Sequence, residues 1–300
     1  MEFGRVYDES TDIDFSLPQD TAMTLSNLHG QPTSSEFKVY VGASKWGDKT
    51  WLGKIYPNKT PDTAFLPFYC RSFNTVEFSP TFYNIYSADQ IAKWVRQVAD
   101  IPGFRFCPKF PQTITHIRRL TNAEEATAKF YQSLTAFGKH LGPLLLQLGE
   151  NFSPKNFRQL KAYLEGLPPS IKVCVEVRHK DWFANTANRN NLFGLLHELN
   201  MGTIISDTSG RRDCVHMELT TNEAVIRFVG NNLAPSDYAR LDAWVERLKI
   251  WEGLGLKTVY FFMHQNNERY VPDICEYFIK KLNNELGTMV AGPKFINALL

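Results

Sequence analysis

A single (β/α)8 TIM-type barrel with an N-terminal extension is the fold that this sequence predicts, on three observations. The chain has 300 residues with 43% hydrophobic content, enough for one large core and close to the roughly 250 residues usual for such a barrel. Eight short β-type runs alternate with stretches of helical periodicity, which implies a parallel sheet with helices packed over it. No G-x-G-x-x-G or G-x-x-x-x-G-K-[ST] turn follows the first run, which favours a closed barrel over an open, doubly wound sheet.

The strand candidates are Lys38–Ser44, Thr75–Phe78, Phe104–Lys109, Leu144–Leu148, Val173–Val177, Thr203–Ser206, Ala224–Val229 and Thr258–Met263. Between them, Ala88–Val98 places Ile91, Trp94, Val95 and Val98 on one helical face, and Ala123–Gly138 does the same with Ala126, Phe130, Leu134 and Phe137. Ser153-Pro154 opens a helix that should stop at Gly166-Leu167-Pro168-Pro169, and Pro235-Ser236 opens one that runs towards Trp251. Gly210–Asn222 has no apolar period and is expected to be a loop or a short helix. Residues 1–36, rich in Asp, Ser, Thr and Pro, form an N-terminal arm that either wraps the domain or is partly disordered. The barrel then occupies residues 37–290 and a short tail residues 291–300.

Thirty-three basic residues against thirty-one acidic ones give a formal charge of +2, so any preference for a charged ligand must be local. The five cysteines are widely spaced with no C-x-x-C pair, which excludes a zinc ribbon, an iron–sulfur motif or a disulfide framework and fits a reducing compartment. The first nine residues contain no apolar leader segment, and no later run is long and apolar enough to span a bilayer. A cytoplasmic protein that does not engage a membrane is expected.

In a barrel of this type, functional groups project from the C-terminal ends of the strands. Here those ends carry Lys45-Trp46, Glu77, Lys109, Gln147, Glu176 with Arg178 and His179, Asp207, Arg227, and His264-Gln265. A lone carboxylate inside Val-Cys-Val-Glu-Val would be costly, so Glu176 should meet a cation or line a wet pocket, and Glu77 in Thr-Val-Glu-Phe invites the same expectation. Lys109, His116, Arg178, His179 and Arg227 would make the mouth cationic and suit an anionic ligand such as a phosphate, a carboxylate or a nucleic-acid backbone. Trp46, Tyr83 and Trp182, in loops after strands one, two and five, could wall the pocket or stack on a ring, or else form a hydrophobic lid. Glu77, Glu176, Asp207 and His264, with His116 and His179 on loops, offer ligand types for a divalent ion, although none has a specific metal-binding spacing.

The motifs also resemble a known family. Gly42-Ala43-Ser44-Lys45-Trp46, Trp51-Leu52-Gly53-Lys54-Ile55-Tyr56-Pro57, Phe73 to Tyr83, Phe104-Arg105-Phe106 with Lys109, Thr115-His116, Leu141-Gly142-Pro143 with Gln147-Leu148, and Val175-Glu176-Val177-Arg178-His179 with Trp182-Phe183 are similar, in order and spacing, to the YecE-like family. The resemblance spans about Val39 to Phe262. It implies a TIM-type barrel and names no catalyst, since the family's role is unestablished. The chain departs from the family pattern at Ile226-Arg227-Phe228-Val229-Gly230, where relatives have R-L-H-G, and at Met263-His264-Gln265, where aromatics usually precede two asparagines directly.

Three functions fit these observations. The first is an enzyme acting on a phosphorylated or otherwise anionic substrate such as a phosphoester, with Glu176 or Glu77 as general base, Asp207 beside them, and Lys109, Arg178 and Arg227 holding charge. The second is a non-catalytic nucleic-acid binder that uses the basic loop His116–Arg119. The third is a structural or partner-binding barrel whose polar mouth is only an ion-pair network.

Overall fold

All eight apolar runs are strands, and their order around the sheet follows from the short α/β connections. The computed structural model describes residues 3–6, 13–29 and 37–296. The strands are β1 (Lys38–Ala43), β2 (Thr75–Phe78), β3 (Arg105–Pro108), β4 (Leu144–Gln147), β5 (Val173–Glu176), β6 (Gly202–Thr208), β7 (Glu223–Gly230) and β8 (Thr258–Gln265). They run parallel in the order β3-β2-β1-β8-β7-β6-β5-β4. The remaining seam is bridged by Phe110 N–H donating to the Leu145 carbonyl at 2.9 Å and Gly142 N–H to the Phe106 carbonyl at 2.7 Å, so the sheet is a nearly closed barrel. At the β1–β2 contact Gly42 is required, because a Cβ there would lie 2.0 Å from the Thr75 carbonyl oxygen.

The helices form where the apolar period indicated. Ala88–Gln97 begins with a capping box between Ser87 and Gln90, and Pro235–Leu254 ends at Gly255 with φ 115°, a left-handed cap that suits glycine. The helix expected over Ala123–Gly138 runs as an α-helix over Glu124–Leu134 and continues as a 3-10 segment, Thr135–His140, which is kinked at Gly138 with φ 51°. Gly210–Asn222 holds a single 3-10 turn, Arg212–Cys214.

Two side-chain layers follow from strand alternation. Inside the barrel sits an apolar plug of Cys107, Leu145, Cys174, Ile204, Val225, Tyr260 and Phe262. The larger core lies between strands and helices and includes Val41, Val76, Phe78, Phe106, Leu146, Ile205, Phe228 and Phe261.

Described parts of the arm lie against the barrel. The helix Ala22–Leu28 is tied to it by Thr24 Oγ1 donating to the Met217 carbonyl at 2.7 Å and Asn27 Nδ2 to the Leu219 carbonyl at 2.7 Å. Asp20 accepts from Trp251 Nε1 at 2.9 Å and pairs with Arg247. In the tail, Ile296 N–H donates to the Lys54 carbonyl at 2.9 Å. The rest of the arm and residues 297–300 fall outside the described residues. Among the described residues no helix is long and apolar enough to cross a membrane.

Candidate functional site

Stepping two residues along each strand from the apolar plug leads to the mouth of the barrel and to a wholly polar layer. Cys107 is followed on the same face by Lys109, Leu145 by Gln147, Cys174 by Glu176, Ile204 by Ser206, Val225 by Arg227, and Phe262 by His264, while Thr75 leads to Glu77. The period of two explains why residues from seven strands converge.

Arg227 is the centre of this layer. Its Nε and Nη2 lie 2.9 and 3.2 Å from the two oxygens of Glu77, and its Nη1 lies 2.9 and 2.8 Å from the two oxygens of Glu176. Glu176 also accepts from Arg178 Nε at 2.8 Å and Ser206 Oγ at 2.9 Å. Glu77 contacts His264 Nε2 at 2.9 Å and Lys109 Nζ at 3.3 Å, and Lys109 donates to Gln147 Oε1 at 2.8 Å. All these groups are buried. Desolvated charges are tolerated only when paired and hydrogen-bonded, and the forked guanidinium of Arg227 supplies both carboxylates at once.

Protonation follows from this packing. Burial pushes the Glu77 carboxyl up, but Arg227, Lys109 and His264 overcome it and hold the group well below the usual carboxylate range. Burial opposes ionisation of Glu176 too, yet Arg178 and Arg227 bring it down to about 2. A general base at Glu176 or Glu77 calls for a raised carboxyl, whereas these two are lowered and are therefore poor proton acceptors. Lys109 is lowered to about 8, first by burial and then, against the pull of Glu77, by Arg227 and Arg178.

An acid transition is expected from the carboxylates. Depressed folded values contribute stability that is present above the unfolded value of about 4.3 and is lost as pH falls through the folded value. For Glu176 that window runs from about 4.3 to about 2. Circular dichroism during acid titration should show unfolding within it for the wild type, and a shallower loss for Glu176→Gln. Equal acid sensitivity in both proteins would contradict the assignment.

His116 lies above this layer in a wide helical turn, Thr113–Ile117, closed by Arg118 N–H donating to the Thr113 carbonyl at 2.9 Å. Such i to i+5 turns recur at functional sites. The His116 ring meets Phe82 edge-on at 5.1 Å, and Lys109 Nζ lies 5.1 Å from the centre of the same Phe82 ring. Burial, then Arg178 and Lys109, lower the His116 imidazole below its ordinary value, so cationic groups dominate its surroundings. Residues of the arm reach this rim as well. The Phe3 ring stacks on the guanidinium groups of Arg178 at 4.3 Å and Arg211 at 5.1 Å, and the Gly4 carbonyl accepts from Thr208 Oγ1 at 2.6 Å.

Not every expected residue joins this layer. Asp207, one position beyond Ser206, points to the outer face, where it accepts from Trp244 Nε1 at 2.7 Å and Arg240 Nη1 at 3.0 Å and pairs with Arg212. Strand alternation therefore makes it a tie between β6 and the helix Pro235–Leu254. Trp46 packs into the core against Phe78 at 5.5 Å, Trp94 and Phe106. Trp182 is fully buried, with Nε1 donating to the Phe152 carbonyl at 2.7 Å, so it is core and not a pocket wall. Tyr83 is 64% exposed and meets Phe82 edge-on at 5.2 Å. His179 sits beside Asp181, with Nδ1 accepting from the Asp181 N–H at 3.2 Å.

Of the metal-ligand types that the sequence offers, Glu77 and His264 meet, but no third joins them among the described residues. Glu77 and Glu176 are held by Arg227, and Asp207 faces away from them. Among the described residues no three His, Cys, Asp or Glu side chains are grouped to hold an ion.

Two features escaped the sequence. Ser206 lies on the Ile204 face, which the burial of every residue in this strand leaves unmarked in the sequence. Glu268, just beyond β8, is half-buried beside Ser44, and burial raises its carboxyl above the ordinary value.

Comparisons with known proteins agree with this architecture. The chain is 26% identical over 277 residues to the UPF0759 protein YecE of Escherichia coli K12, covering 85% of this chain and 98% of that one. It is 28% identical over 208 residues to the UPF0759 protein YunF of Bacillus subtilis, covering 65% of this chain and 71% of that protein. Two crystal structures of a DUF72 family protein from Enterococcus faecalis superpose with TM-scores of 0.61 and 0.64 at 16% and 17% identity, covering 85% of this chain and 99% and 98% of theirs. A family model described as a protein of unknown function, DUF72, matches residues 40–295, and the chain belongs to that family.

Proposed function

We propose that the barrel mouth binds a small anionic molecule, a phosphate ester or a carboxylate, and acts on it as an enzyme. The observation that carries this reading is the placement of Lys109, itself part of the polar layer beside Glu77, and of His116 around one Phe82 ring. Lys109 is the group best suited to exchange a proton near neutrality, since burial and the neighbouring guanidinium groups lower it to about 8, while His116, lowered below its ordinary value, is held towards the neutral imidazole. Glu77 and Glu176 serve as the fixed counter-charges that hold Arg227 and Arg178 in position. The aromatic wall is Phe82, while Trp46 packs into the core and Trp182 is fully buried.

A small molecule is favoured over a nucleic acid by the basic loop itself. Arg118 Nη1 donates to the Asn122 carbonyl at 2.6 Å, and Arg119 Nη2 donates to the Asn151 carbonyl at 3.1 Å and Asn156 Oδ1 at 3.2 Å. The Arg118 guanidinium is thereby engaged in folding its own loop, and that of Arg119 in tying this loop to the one after β4.

Thermal unfolding of the full chain with inorganic phosphate, glycerol phosphate or a short oligonucleotide tests this reading. A ligand at about a hundred times its Kd adds ~2.7 kcal/mol to native-state stability, which raises the melting point by several degrees. Phosphate compounds should produce that shift in the wild type and fail to do so in Lys109→Met. A shift with oligonucleotides alone that vanishes with salt, or a shift that survives in Lys109→Met, would overturn the proposal.

A further inference from the structure

The inward rows of the barrel also run away from the mouth. Two residues before the plug, on the same face, Cys107 is preceded by Arg105, Cys174 by Lys172 and Val225 by Glu223, while Tyr40 and Tyr260 follow Lys38 and Thr258. These side chains line a cavity of about 350 Å³ at the N-terminal ends of the strands, with the apolar plug between it and the layer of Lys109 and Arg227. That volume falls within the range of small-molecule sites. Tyr40 and Tyr260 stack at its inner end, with ring centres 4.6 Å and planes 8° apart.

The charges at this end do not balance. Lys172 pairs with Glu223. Arg105 and Lys38 meet no carboxylate among the described residues: Arg105 Nη1 donates to the carbonyl of its neighbour Phe104 at 3.3 Å, and its guanidinium lies 5.8 Å from the centre of the Tyr40 ring. At the mouth, by contrast, Arg227 is matched by both Glu77 and Glu176. Tyr260 is 6% exposed, yet its hydroxyl makes no hydrogen bond among the described residues, and Arg105 and Glu223 both lie close enough to act on it. A guanidinium, an ammonium and a phenol O–H thus border one cavity with their donors uncommitted.

We propose that this lower cavity binds a small dicarboxylate, one carboxylate on the Arg105 fork and the Tyr260 hydroxyl, the other on Lys38. Two unbalanced cations call for two negative charges. They stand on β3 and β1 with β2 between them, which suits two carboxylates on a short linker better than one compact phosphate. The site is separate from the one at the mouth and does not rest on it.

Titration calorimetry of the full chain with succinate tests the proposal. The wild type should bind succinate at a site that Arg105→Gln weakens at least about tenfold, which corresponds to ~1.4 kcal/mol, and that Lys38→Gln weakens as well. Lys109→Met should retain this binding, since the plug separates Lys109 from the cavity. Acetate, with a single carboxylate, should bind at least about tenfold more weakly than succinate. Absence of succinate binding, binding that is unchanged in Lys38→Gln, binding that is lost in Lys109→Met, or acetate as tight as succinate would overturn the lower site. Lys38 is exposed, so Lys38→Gln decides the matter even if Arg105→Gln fails to fold. The phosphate-induced rise in melting point reports on the mouth alone and should persist in Lys38→Gln.

Discussion

Replacing Arg227 by leucine is expected to destabilise the chain by ~3–5 kcal/mol, the range found when one partner of a buried ion pair is removed. Arg227 is fully buried and makes two-pronged contacts with both Glu77 and Glu176, so its loss strands two carboxylates in the barrel mouth. Their desolvation must then be offset by Lys109 and His264 at Glu77 and by Arg178 at Glu176. Urea unfolding should show a midpoint far below that of the wild type. The further changes Glu77→Gln and Glu176→Gln, made together in the Arg227→Leu background, should recover much of the loss, because no buried carboxylate then needs a counter-charge. An Arg227→Leu protein with wild-type stability, or no recovery in the triple variant, would show that the network does not depend on Arg227.

A loss of similar size, ~3–5 kcal/mol, is expected for Asp207→Ala, but for a different reason. Asp207 gathers Arg240, Arg212 and the Trp244 indole on the outer face of β6, so its removal leaves a buried guanidinium and a buried N–H short of an acceptor. The isosteric change Asp207→Asn keeps an acceptor for Trp244 and should cost less. Since Asp207 faces the helices, folded Asp207→Asn should still show the phosphate-induced rise in melting point. Unfolding midpoints measured with and without phosphate separate the two roles. A variant of undiminished stability that no longer responds to phosphate would place Asp207 in the site after all.

These two residues mark what was legible in the sequence and what was not. The eight strands could be read because a barrel's parallel strands are buried on both faces and appear as short apolar runs between helical periods. That same double burial hides which face each residue takes. In Gly202–Thr208, Ile204 and Ile205 are both buried, one in the barrel plug and one against the helices, so nothing local tells that Ser206 faces inward and Asp207 outward. Along β5 and β7 the step from Cys174 to Glu176 and from Val225 to Arg227 leads from the plug to the polar layer, at the strand ends where the sequence places both residues. Trp46 and Trp182 sit among polar and turn-forming residues in the chain, while their burial is produced by Phe78, Trp94 and Phe152, which are distant in sequence. Glu268 was missed for the same reason. Its surroundings include Ser44, 224 positions away, and no window along the chain contains both. The shifts of Glu77 and Glu176 were likewise beyond a local reading, because burial and the guanidinium groups act in opposite directions and only the geometry of Arg227 and Arg178 decides which prevails.

The central claim, an oxyanion site at the barrel mouth, is tested most directly by diffraction from crystals of the full chain soaked in tungstate, a tetrahedral anion located by its anomalous scattering. A peak within hydrogen-bonding distance of Lys109 Nζ and the His116 ring is the expected result. Tungstate bound elsewhere on the molecule, with the mouth ordered and holding only water, would contradict it.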